Sequence, residues 1–197
     1  MKFYALVFST VFALSCGGDD DIGGGGGGDP VTEFVACGGD LQGTWDLTSS
    51  AFSGNPDFSI VTGCPGATGT FSSYMQTGTL DFAASMDFTF DTTLRVDLNF
   101  TIPGECAIED GVNACSELDI TEGGISMTCT GDIADTCNCT QNLEEIGTEV
   151  GTWTASGNSL TLDEGDAFGY CVENNQLQIR LDEEEIDLNV LLTATRQ

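Results

Sequence analysis

Thiols and carboxylates are the side chains of this sequence abundant enough to suggest chemistry: nine cysteines and 32 aspartates and glutamates stand beside four lysines and arginines and no histidine. Closely spaced carboxylates occur at Asp163, Glu164 and Asp166 and again along Asp182–Glu185. A glycosidase needs a carboxylate pair and a calcium loop needs carboxylates at set positions. Neither stretch has recognised calcium spacing and nothing singles out one pair, so both read as solvated loops. The lack of histidine excludes Ser/His/Asp and Cys/His catalysis and every histidine metal site. Among the thiols only Cys137 and Cys139 are close-spaced, short of the clustered set a zinc site requires. GxSxG, HExxH, P-loop and EF-hand sequences are missing. The expectation is no enzyme, no cofactor and no metal.

Nine is odd, so at least one cysteine needs a role outside intramolecular disulfides. Cys16 is the one set apart. Met1 and Lys2 precede the apolar run FYALVFSTVFALS, which ends at Cys16: a charged n-region, an h-region and small residues before a cut, too short to span a bilayer as a helix. Ala13, Leu14, Ser15 and Cys16 resemble the lipobox of bacterial lipoproteins, with alanine where that family usually carries leucine. The resemblance implies that Cys16 is lipidated and becomes the first mature residue. The protein would then be exported and held in the bacterial cell envelope by a lipid anchor, at the outer membrane or cell surface. Asp19–Asp21 and the six glycines Gly23–Gly28 bury nothing and behave as a flexible coil. The expected organisation is a signal peptide over 1–15, a tether over 16–36 and one folded domain over 37–197.

Eight cysteines remain: Cys37, Cys64, Cys106, Cys115, Cys129, Cys137, Cys139 and Cys171. An even set in an exported chain reads as up to four disulfides. Cys106 and Cys115 bracket a short loop, which predicts a bond between them. Without Lys2 the basic residues are Arg95, Arg180 and Arg196. So acidic a chain repels nucleic acid and anionic headgroups, so nucleic-acid partners are excluded and membrane contact runs through the lipid.

The elements that hold these residues have a period of two. In GTLDFAASMDFTFD, Leu80, Phe82, Ala84, Met86, Phe88 and Phe90 share one parity, the pattern of a half-buried strand. LRVDLNFTI repeats it with Leu94, Val96, Leu98, Phe100 and Ile102, so a long hairpin turning at Asp91–Thr93 is expected. Gly157-Asn158 and Asn174-Asn175 suit two-residue hairpin loops. Strands are predicted near 42–50, 57–62, 78–91, 93–102, 117–129, 149–155, 159–163, 168–173, 176–181 and 187–196. NLEEIG offers at most a short turn of helix, and 104–140 reads as stapled loops around one or two strands. One-sided patterning on so many sequential strands favours an all-β, antiparallel up-and-down barrel of about eight to ten strands, which removes exposed edges.

LQGTWDLTSS resembles the opening strand of lipocalins and lipocalin-like proteins through Gly43 and Trp45. Arg196, in LTATR, matches the arginine that this family packs over the tryptophan. Parity independently turns Arg196 inward, where a bare charge is costly, and a guanidinium over the indole with backbone carbonyls on its N–H groups resolves that cost. A second GTW, Gly151–Trp153, reads as a plain strand with an inward tryptophan. The resemblance implies a barrel that binds a small apolar ligand, and the inward stripe of Phe82, Met86, Phe88, Phe90, Leu98 and Phe100 would form its pocket. The alternative is a structural or interaction module of the envelope in which the same stripe simply fills the barrel.

Overall fold

A computed structural model of the chain describes residues 31, 33–54, 57–109, 111–163, 165, 167–183 and 188–197. The signal segment, Cys16 and most of the tether lie outside the described residues, as do Glu164, Asp166, Glu184 and Glu185. The fold is all-β. Strands β1 (Gly43–Gly54), β2 (Thr68–Phe82), β3 (Asp87–Pro103), β4 (Ile120–Glu122), β5 (Ile125–Asp132), β6 (Thr136–Ser156), β7 (Ser159–Leu162), β8 (Ala167–Glu173), β9 (Gln176–Glu183) and β10 (Leu188–Arg196) form one antiparallel sheet. Sequential pairing runs through most of it, β10 returns to β1, and β3 pairs with β6, so eight strands close into a ring. β6 is long enough to serve two neighbours on its other side: Thr136–Leu143 carries β5, and Trp153–Ser156 carries β7.

Several elements differ from the periodicity reading. The turn between β2 and β3 falls at Ala83–Met86, not at Asp91–Thr93, which lie within β3. Phe88, Phe90, Leu94 and Val96 keep one parity throughout, so a single strand satisfies both apolar runs. Met86 consequently sits in the turn, half exposed at φ 70°. Residues 57–62, expected as a strand, instead contain helix α1 (Phe58–Thr62). Asp57 caps it by accepting from the Ser59 N–H at 2.8 Å, and Gly63 ends it at φ 68°; these caps outweigh the β-branched composition. NLEEIG lies inside β6 and makes no helix. The stretch 104–140 holds helix α2 (Gly104–Glu109), a 3-10 turn at Cys115–Leu118, β4, β5 and the start of β6, and the strand expected over 117–129 is split by the Gly123-Gly124 turn.

The inward side chains form two adjoining cores. The first fills the closed ring around Trp45, Phe82, Phe88, Phe90, Trp153 and Leu160. The second lies where β3, β5 and β6 are covered by α1, α2 and the 3-10 turn, and it contains Phe58, Val96, Leu98, Phe100, Met127 and Cys129. Phe71 and Tyr74 pack against both. A bulge between Phe71 and Ser73 switches parity in β2 so that Phe71 and Gly69 face inward while Tyr74 does as well. Gly69 is required there: a Cβ would stand 2.6 Å from the Phe100 Cβ and 2.7 Å from the Phe58 ring.

All eight cysteines of the domain are paired, as Cys37–Cys171, Cys64–Cys106, Cys115–Cys137 and Cys129–Cys139. The expected Cys106–Cys115 bond does not form. Helix α2 and the 3-10 turn occupy the intervening chain, taking Cys106 to the loop after α1 and Cys115 to β6. Four disulfides fit an oxidising, extracytoplasmic location. The domain also begins slightly before Cys37, since the Asn158 side chain donates to the Ala36 carbonyl at 3.2 Å.

Candidate functional site

Two regions carry the residues of interest: the barrel interior with its Trp45 closure, and the outer face of the sheet above the second core. At the closure, Trp45 and Arg196 are cross-strand partners on β1 and β10. Trp45 is fully buried and its indole N–H donates to the Leu41 carbonyl at 2.8 Å. The Arg196 guanidinium lies 4.5 Å from the indole centroid and donates through Nη2 to the Asp40 carbonyl at 2.6 Å. The Asp40 carboxylate stands 3.7 Å from Nη2. This is the inward arginine that parity requires: the indole face and a backbone acceptor meet its Nη2 side, while Nε is buried with no hydrogen-bond partner among the described residues. Gly43 lies beneath it at φ 126°, where an added Cβ would be 3.9 Å from Arg196 Nε. Gln197 N–H donates to the Thr44 carbonyl, so the strand is held to its last residue.

The six residues expected to line one pocket are divided between the cores. Phe82, Phe88 and Phe90 pack together in the closed ring, with centroids 5.4 Å apart for Phe82–Phe90, 4.5 Å for Phe88–Phe90 and 5.6 Å for Phe82–Trp153. Leu98 and Phe100 belong to the second core, where Phe58 stacks on Phe100 at 6.0 Å. Met86 is in the β2–β3 turn. Phe52, Phe71 and Phe58 form a separate group of rings, at 5.9 and 6.1 Å, that spans the two cores. Trp153, inward as expected, donates its indole N–H to the Ala83 carbonyl at 3.2 Å. The periodicity found these side chains but not their division, because the bulge and the two short helices that divide them leave no mark in a period of two.

Carboxylates make no organised centre: among the described residues no group of three or more histidine, cysteine, aspartate or glutamate side chains is arranged to hold a metal ion. Glu149 on β6 is half-buried, and its carboxyl is pushed above the ordinary glutamate range, first by burial and then by the nearby Asp163 charge. Asp163 itself accepts from the Thr152 N–H at 2.8 Å, a structural role at the end of β7. Arg95 and Glu144 form an exposed pair at 3.1 Å.

The sequence reading missed the outer face of β2, β3, β6 and β5. Cross-strand register places Thr68, Thr101, Asn138 and Thr130 in one row. Thr70, Asn99, Thr140 and Thr128 form the next row. These rows line an open groove of about 540 Å³. Thr68 and Thr101 hydroxyls share a hydrogen bond at 2.9 Å, and the Thr140 hydroxyl donates to Asn99 Oδ1 at 3.2 Å. Alternation marked only Asn99 and Thr101 as outward; Thr68, Thr70, Thr130, Asn138 and Thr140 fall outside the strands expected from the sequence, and the strand order, which the sequence does not state, brings them together.

No protein-family model, curated protein or solved structure matches this chain.

Proposed function

We propose that the chain is a lipid-anchored protein of the bacterial cell envelope whose barrel performs no chemistry, holds no ligand inside and acts through its outer surface. The observation that carries this reading is ring packing in the interior: Phe82, Phe88, Phe90 and Trp153 form one contacting group and Phe52, Phe71 and Phe58 another, so the side chains that would line an apolar pocket spend their surface on one another. A ligand cavity leaves its apolar lining without protein partners; here that lining is the core. The anchor rests on the lipobox-like ALSC and on cysteine arithmetic, since eight of nine cysteines are used in four disulfides and Cys16 is the ninth.

Titration of the protein with a fluorescent long-chain fatty acid tests the filled interior. The expected result is no saturable site. Saturable binding at one molecule per chain would return the barrel to the carrier reading, with Phe82, Phe88 and Phe90 as its lining.

A further inference from the structure

The geometry points to the outer groove of β2, β3, β6 and β5 as a binding site for a neutral, hydroxyl-rich polysaccharide. This rests on the reading that the protein acts through its outside and names the partner class. Charge borders the groove on this sheet but does not enter its two rows. Along β3 the outward residues Asp87, Asp91, Arg95 and Asp97 lead up to the groove, and Asp132 on β5 follows it on the other side, whereas the two rows that line the groove contain only threonine and asparagine. In a chain of net charge −28, such a patch is where a neutral polymer approaches without desolvating carboxylates, and an anionic polymer remains repelled by the surrounding field.

The chemistry of the lining narrows the partner further. A protein partner is held by buried aromatic and arginine anchors, and the groove has no outward aromatic or arginine. A lipid needs apolar surface. Thr70, Thr128, Thr130 and Asn138 offer hydroxyl and amide groups that accept and donate and that bond to no other side chain among the described residues. The methyl groups of the threonines supply the small apolar contacts that sugar C–H faces use. Spanning four strands at a spacing of about 4.8 Å, the rows extend about 14 Å, room for a short run of sugar rings.

The groove is also rigid from behind. Cys129 and Cys139, bonded to each other, are cross-strand partners on β5 and β6 beneath it. Cys115–Cys137 and Cys64–Cys106 lie in the same core, and Phe58 stacks on Phe100 under Gly69. Three of the four disulfides thus brace one face, which lowers the ordering penalty for a weak, polar ligand.

Affinity electrophoresis tests this with the full domain run through gels containing a soluble β-1,3-glucan, dextran, a soluble xylan or, as the anionic control, alginate. At least one neutral gel should retard the protein and alginate should not. The triple variant Thr70→Val, Thr128→Val, Thr130→Val keeps β-branched side chains and should weaken retardation roughly tenfold or more, while the corresponding Thr→Ser triple variant should retain it. Thermal unfolding of each variant establishes that it is folded. No retardation in any neutral gel, equal retardation of the Val variant, or retardation in alginate alone would overturn the proposal. The first of these leaves the filled-barrel reading standing, because the fatty-acid titration reads that separately.

Discussion

Arg196, near the end of β10, lies over the indole of Trp45 at 4.5 Å and binds the carbonyl of Asp40 in the segment leading into the first strand. The pair joins β1 to β10 across their seam, so the last strand of the domain closes the ring that the first one begins.

Replacing this arginine should therefore destabilise the whole fold. Arg196→Ala loses a cation–π contact and a charged hydrogen bond, together about 2 kcal/mol. Arg196→Lys should recover less than half, because an ammonium cannot lie flat on the indole while reaching the Asp40 carbonyl. Urea unfolding followed by tryptophan fluorescence measures both. Equal stability of the wild type and the alanine variant would reduce the contact to decoration.

The disulfides should differ in worth by the chain they close. Cys37 and Cys171 are 134 residues apart and Cys129 and Cys139 only 10. On the chain-entropy account, losing the first costs about 5 kcal/mol and losing the second about 3 kcal/mol. Double-alanine variants of each pair, compared by equilibrium denaturation without reductant, check the order. The reverse order would mean that local bracing of β5 against β6 dominates over loop closure.

Glu149 and Asp97 should move stability with pH in opposite senses. Burial raises the Glu149 carboxyl in the folded state, so its favourable contribution is complete below the ordinary glutamate range and is lost as pH rises through the folded value. Glu149→Gln should unfold at a higher midpoint than the wild type at pH 7, with the gap closing near about pH 4. The Asp97 carboxyl is held low by hydrogen bonds first from Ser73 and then from Asn142. Its contribution is present above the ordinary aspartate range and lost as pH falls, so Asp97→Asn should be less stable at pH 7 and converge with the wild type in acid. Thermal melts from pH 3 to pH 8 would refute the assignment if either difference were independent of pH.

Gly69→Ala should be disruptive although alanine is small and the backbone there is ordinary. The new Cβ meets the Phe58 ring and the Phe100 Cβ, so α1 must lift from the sheet at about 1–3 kcal/mol. The Phe58→Leu change in the same chain should relieve part of the loss, and a double-mutant cycle reads that coupling directly. A coupling of zero would contradict the stacked arrangement.

Much of this was legible in the residues. The parity of Leu94 through Ile102 identifies the inward face of β3, Asn174-Asn175 identifies a hairpin whose two residues have φ 52° and 61°, and counting in twos turns Arg196 inward, while its place over Trp45 is what the lipocalin resemblance implies. Less legible was anything that depends on strand order or on local hydrogen bonds. Asp57 as a helix cap competed with a β-branched FSIVT and won, Cys106 found Cys64 because α2 aimed it there, and the groove joins residues separated by up to 72 positions, Thr68 to Thr140. Periodicity reports which face a side chain takes, and it is silent on which neighbour shares that face.

The account is tested most directly by native mass spectrometry of the protein released in mild detergent from its own membrane. The expected mass is that of a chain beginning at an acylated Cys16, lighter by the eight hydrogens of four disulfides, with no retained small molecule. A chain cut elsewhere and unmodified, or one that keeps an apolar molecule through desolvation, would contradict it.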